Sequence, residues 1–188
     1  MLKDLILKSR SYRRFYQDHK ITEDDLRDLI DMARLSPSAR NAQPLKYFIS
    51  FDEDTNAKIF PHLSWAGYLN DWPGPEEGER PSAYIVMLLD TTITDNQFCD
   101  DGIALQSILL GAAEKGLGGC TIAAIDREQL QEEMNIPEKL EILYVLALGK
   151  PKETVVLEDM KNEDFKYWRD ENGVHHVPKR RLDELIIS

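Results

Sequence analysis

The chain is poor in the residues that most specialised chemistry requires. Its 188 residues include two cysteines and four histidines. Cys99 and Cys120 are too few for a disulfide framework and lack metal-ligand spacing. They read as buried free thiols that behave as small hydrophobes. No convincing nucleophile–base–acid triad can be assembled, and no metal site is expected, because the adjacent pair His175-His176 cannot readily grip one ion without other ligands. That pair reads as surface or phosphate-neighbouring packing. No apolar run approaches the roughly 20 residues that a spanning helix requires, and Met1-Leu2-Lys3-Asp4 does not open a signal peptide. A cytoplasmic protein without membrane association is expected. Positive charge is also scarce, with 23 Lys and Arg against 34 Asp and Glu, a net charge of −11 and a pI near 4.8. This balance argues against a nucleic-acid surface, which needs a basic face.

What is present suits a soluble domain with a real core. Apolar residues make up 42% and charged residues 30%, and no repeat or low-complexity tract interrupts them. The length fits one domain over 1–188, with the polar stretch from about 152 to 188 as an extension that buries too little alone and needs the domain or a second subunit.

Pattern and punctuation predict a short helix over 2–8 and a second from Thr22, with Asp25 as an imperfect capping box, stopped at Ser36-Pro37. A strand is expected over 47–51, a short helix over 55–63 and an irregular loop through Trp65, Tyr68, Trp72 and Pro81. Residues 83–90 read as a central strand, 100–115 as a helix covered all round with Gly116 as its cap, and 121–125 as a strand or extended loop. A helix over 126–135 and a buried strand over 142–148 complete the series. Few, well-separated strands flanked by helices give an α+β class, helices around one central sheet.

Against the acidic background, two basic clusters stand out: Lys8, Arg10, Arg13 and Arg14 near one end, and Lys179, Arg180 and Arg181 near the other. A phosphate would collect both at one site, since Arg and Lys make strong charge-assisted hydrogen bonds to its oxygens. The plain alternative for the first cluster is a solvated basic turn. In extended backbone Arg13 and Ser11 share a side, whereas in a helix Arg10, Arg13 and Arg14 share a face. A third cluster, Ser36 to Pro44, sets Ser38, Asn41 and Gln43 between two prolines, as a flat heterocycle with carbonyls and ring nitrogens would require. An ordinary hydrogen-bonded loop is the alternative there. Trp65, Tyr68 and Trp72 either cover a flat substrate or pin a long loop. The acidic runs Asp52 to Asp54 and Glu76, Glu77, Glu79 read as solvated charge.

Ser9 to Phe15, the following helix, Ser36 to Pro44 and the strand at Tyr47 resemble the opening of the nitroreductase family of FMN-binding flavoenzymes. Asp101-Gly102 with Ala104 and Gln106 resembles the family's buried helix, Gly116 to Gly119 its following turn, and Lys179-x-Arg181 its closing phosphate-binding pair. The resemblance implies a mainly antiparallel sheet surrounded by helices, in an intertwined homodimer with the C-terminal tail exchanged. It implies that Arg10, Ser11 and Arg13 hold the FMN phosphate and ribityl chain, joined by Lys179 and Arg181. Pro37, Ser38 and Asn41 would reach the flavin from the other subunit, and the backbone of Ala123 and Ala124 would face its N5 edge.

Two departures stand out, Ser9 where the family pattern has its first arginine and Ala123 where it has an acidic side chain. The implied activity is ping-pong hydride transfer from NADPH or NADH to a small-molecule oxidant such as a nitroaromatic, quinone or enone. The flavin supplies the chemistry, so no dedicated catalytic acid or base is needed. The rival readings are a flavin-binding or sensing module without turnover, and an assembly protein whose basic ends bind an acidic partner.

Overall fold

In the computed structural model, which describes residues 1–187, the chain runs through α1 (Leu2–Lys8), β1 (Phe15–Tyr16), α2 (Glu23–Arg34), β2 (Leu45–Ser50), α3 (Glu53–Ile59), β3 (Ala83–Asp90), α4 (Asp100–Glu114), β4 (Gly118–Ile122), α5 (Arg127–Glu133), β5 (Leu140–Pro151), β6 (Val155–Asp159), β7 (Trp168–Arg169) and β8 (His175–Lys179). The capping box at Thr22 forms with Asp in place of Glu: the Thr22 hydroxyl accepts the Asp25 N–H at 3.2 Å, and the Asp25 carboxylate accepts the Thr22 N–H at 3.1 Å. Asp52 caps α3 and Asp126 caps α5 without the reciprocal bond, their carboxylates accepting the Thr55 N–H at 2.8 Å and the Gln129 N–H at 3.3 Å.

The main sheet is antiparallel throughout. β3 lies between β2 and β5, and the other edge of β5 pairs first with β4 and then, at Lys150 and Pro151, with β1. Every residue of β3 is buried because both faces are covered. Ala83, Ile85, Met87 and Leu89 pack towards α2 and α4, while Tyr84, Val86 and Leu88 face α5 and the aromatic loop. The antiparallel sheet and its surrounding helices agree with the α+β expectation.

Three departures from the sequence reading have physical causes. β4 starts at Gly118 rather than near Thr121, because glycine lets it run against its neighbours: a Cβ on Gly118 would lie 2.4 Å from the Tyr12 ring. Glu79 is not solvated but 5% exposed, held by Arg14 and by Lys152 at 2.9 Å. Arg14 first, then Lys152, holds its carboxyl down to about 2. The polar tail, finally, is not shapeless. β6 pairs parallel with β8, and β7 runs antiparallel on the other side of β8.

This small sheet sits on its own chain. Arg169 reaches Glu153 at 3.1 Å, and the Tyr167 hydroxyl accepts the Tyr68 N–H at 3.4 Å. Residues 165–175 thus rest on their own chain, one of the two seats, domain or second subunit, that the sequence reading left open to the extension. Beyond it, Leu182, Leu185, Ile186 and Ile187 are exposed, as are Leu2, Ile6 and Leu7 of α1, a helix that buries none of its residues. No helix among the described residues is long and apolar enough to cross a membrane.

Candidate functional site

The basic segment after α1 is stitched to the start of β4. Ser11 bridges Gly119, and the Tyr12 N–H donates to the Gly119 carbonyl at 3.1 Å. Arg10 turns back to the last turn of α1, donating to the Ile6 carbonyl at 2.6 Å and leaving its Nε buried without a partner. Arg13 keeps to the side of Ser11, whose carbonyl accepts from it at 3.2 Å, while Arg14 leaves for Glu79. The extended alternative is therefore the one adopted.

Arg13 is also the centre of a buried polar cluster. Its guanidinium lies 3.3 Å from His175 Nε2 and 4.7 Å from the centroid of the Tyr167 ring. Its backbone N–H and that of Arg14 both donate to Glu153, whose side chain is wholly buried and also accepts from Arg169. Burial first, and then Arg13 and Arg169, pushes His175 down to about 4. The unfolded imidazole titrates near 6.5. Between about pH 6.5 and 4 the unfolded chain therefore binds a proton that the folded chain refuses, so His175 favours folding above that window and its contribution is lost as pH falls through it. Denaturant unfolding at pH 7 and pH 4.5 is expected to differ by on the order of 2 kcal/mol on this account. His175→Gln should flatten that slope; an unaltered slope would remove the assignment.

The loop from Ser38 to Gln43 is strained. Arg40, Asn41 and Gln43 have φ of 55°, 54° and 53°, the left-handed region that side chains with a Cβ rarely adopt. Asp100 holds it there. This carboxylate, 4% exposed in the first turn of α4, accepts from the Ser38 hydroxyl at 2.5 Å and the Ala39 N–H at 2.8 Å. The Ser38 oxygen in turn accepts the Gln43 N–H at 2.9 Å. Sequence reading missed Asp100: an acidic residue opening a helix is ordinary, and nothing local ties it to a serine 62 positions earlier. Pro37 and Asn41 are left exposed on the loop.

The turn after β4 presents Ala123 and Ala124, both exposed. Their carbonyls are engaged, Ala123 by Arg127 at 3.1 Å and Ala124 by the Ser64 N–H at 2.9 Å, whereas neither amide N–H has an acceptor among the described residues. Arg127, also unpredicted, braces this turn by donating to the carbonyls of Ile142 and Leu143 as well.

Not every sequence-predicted residue joins the others. Lys179 closes β8 four residues beyond His175, about 13 Å along an extended strand. It and Arg181 are exposed, and among the described residues no hydrogen bond or ion pair joins either of them to Arg10 or Arg13. The Ser38 loop lies at the first turn of α4, while Tyr12 packs on Gly118 just past its last turn; a 15-residue helix separates these ends by about 22 Å. Of the aromatics, Trp65 is 8% exposed in the core and Trp72 lies under Arg169 at 4.7 Å, so both pin the loop. Tyr68, 4.9 Å from Tyr167, keeps substantial exposure. His176 is stacked on Trp168 between Glu158 and Asp170.

Three known proteins are similar to this chain in sequence or in fold. A candidate NADH dehydrogenase/NAD(P)H nitroreductase of Archaeoglobus fulgidus is 28% identical over 156 residues, covering 79% of this chain and 84% of that protein. The crystal structure of a protein with the same designation from Parabacteroides distasonis, 25% identical, superposes with a TM-score of 0.67 over 87% of this chain and 92% of that one. A candidate nitroreductase of Exiguobacterium sibiricum, solved in complex with FMN, shares the fold at 17% identity, with a TM-score of 0.68 over 81% and 89% of the two chains. The model of the nitroreductase family matches residues 6–82 and 89–150, through the basic segment, the strained loop and the β4 turn, and on that match the chain belongs to the nitroreductase family.

Proposed function

We propose that the protein is an FMN-dependent oxidoreductase that draws reducing equivalents from NADPH or NADH and passes them in ping-pong order to a small electron-poor acceptor, such as a nitroaromatic, quinone or enone. The observation that carries this reading is the strained Ser38–Gln43 loop, clamped by a buried carboxylate and held open to solvent where an ordinary loop would relax. Names given to relatives and the FMN held by the Exiguobacterium protein agree with it.

FMN, when bound, supplies the hydride chemistry. The chain's own groups suit such a ligand. Arg10, with its unpartnered Nε, and the exposed Lys179 and Arg181 would take the phosphate, while Ser11 and Arg13 would take the ribityl chain. The unengaged amides of Ala123 and Ala124 would donate to the polar edge of the ring, and Arg127 keeps them aimed. With Ser9 in place of the first arginine, Arg10 carries more of the anion; with Ala123 in place of an acid, the ring edge meets backbone alone. Pro37, Ser38 and Asn41 would come from a second subunit, since about 22 Å of α4 lies between them and Tyr12 in one chain. The exposed apolar residues of α1 and of residues 182–187 supply a surface for such a homodimer. The acceptor's covering would fall to Tyr68, with Trp65 and Trp72 fixing the loop beneath it. In this reading the protein works in the cytoplasm as one domain over 1–188.

The deciding experiment is the visible spectrum of the purified protein, followed by anaerobic titration with NADPH and NADH and by sedimentation. A yellow dimer bleached by either nucleotide is expected. A yellow protein that neither bleaches would be a flavin-binding module without turnover. A colourless protein that cannot be reconstituted with FMN, or a stable monomer with full flavin content, would overturn the shared-site reading.

A further inference from the structure

A cleft of about 660 Å3, a volume within the range of small-molecule sites, opens between the segment leading into α2, the start of α3 and the approach to β3. It shares no residue with the proposed flavin site, and Arg80 is among its lining residues. Arg14 and Arg169 reach carboxylates, and Arg10, Arg13 and Arg127 reach backbone carbonyls, but the Arg80 side chain has no hydrogen-bond partner among the described residues. Its guanidinium lies 4.4 Å from the centroid of the Phe60 ring, and its Nε is sealed from water without an acceptor. Ser82 lines the same cleft, and its hydroxyl, closed off from solvent in this structure, has no partner among the described residues either. Both residues line the one cleft, and each unmatched donor costs stability until it is met.

The backbone that carries them is fixed. Gln17 accepts the Arg80 N–H at 3.2 Å, the Ser82 N–H donates to Leu148 at 3.0 Å, and the Ser82 carbonyl accepts from Asn56 at 2.9 Å. Asp52, which also lines the cleft, is occupied as the cap of α3 and does not neutralise Arg80. The wall is aromatic, from Phe51, Phe60 and Tyr84.

We infer that this cleft binds an aromatic monocarboxylate, its carboxylate on Arg80 and Ser82 and its ring against the aromatic wall. A guanidinium beside a hydroxyl matches a planar carboxylate. A phosphate dianion is disfavoured relative to a monoanion because Asp18, Glu23, Asp52 and Glu53 outnumber Lys20 and Arg80 around the same opening.

Benzoate is the probe, titrated into the full-length protein and followed by amide chemical shifts, with benzamide and inorganic phosphate at equal concentration as controls. Benzoate is expected to shift Ile21, Ala57 and Ser82 selectively, and neither control to do so. Arg80→Met should weaken benzoate about tenfold or more, the loss of one charged hydrogen bond. Should Arg80→Met fail to fold, Ser82→Ala carries the test, with a loss of about threefold or more expected. Absence of a benzoate response, an equal response to benzamide or phosphate, or unchanged affinity in the variant that folds would overturn the assignment.

Discussion

Glu153→Gln is expected to cost the fold about 3 kcal/mol or more, the range measured when one partner of a buried ion pair is removed. The Glu153 side chain has no exposure and serves three donors, the N–H groups of Arg13 and Arg14 and the guanidinium of Arg169. An amide retains one accepting oxygen but turns an NH2 towards Arg169, so a donor faces a donor in a dry site. The damage should spread to both ends of the chain, because Glu153 ties the basic segment to the small C-terminal sheet. Urea unfolding at pH 7 measures the loss, and a midpoint within error of the wild type would show that this carboxylate does not organise the cluster.

Lys179→Ala combined with Arg181→Ala is expected to weaken FMN binding about a hundredfold or more, at about 1.5 to 3 kcal/mol for each hydrogen bond to a charged group. The pair is a cleaner probe than Arg13, which is built into the fold through Glu153, His175 and Tyr167. Lys179 and Arg181 are exposed, so thermal stability of the flavin-free protein should stay within about 0.5 kcal/mol of the wild type, as for ordinary surface changes. Flavin fluorescence quenching gives the dissociation constant. An unchanged value would take these two residues out of the phosphate site and with them the proposed convergence of the basic clusters.

How much of this was legible beforehand depends on the range of the interaction. Elements governed by near neighbours read directly: the capping box at Thr22, the apolar run of β3 and the helix from Asp100 each carry their signal within a few residues. Glu79 and Asp100 did not, because their partners lie 65 and 62 positions away and a buried carboxylate has the same letter as a solvated one. The C-terminal sheet was illegible for a related reason. Its strands are two to five residues long, and polar contacts such as those of Arg169 and His176 do much of the work that an apolar alternation would otherwise announce. In the site, ordered motifs marked the loop and the basic segment, but not the strain at Arg40 and Gln43, nor Arg127, whose three carbonyl acceptors are set by tertiary structure.

The length of α4 carries one more implication. A ligand that must touch both the Ser38 loop and the segment beside Gly118 spans ends that no hinge among the described residues brings together, since the helix between them is rigid and packed. Its occupancy then depends on a second copy, and dilution alone, with every side chain intact, releases it. Chains crippled at opposite ends of that helix would rescue one another on mixing, restoring a single working cleft per hybrid pair.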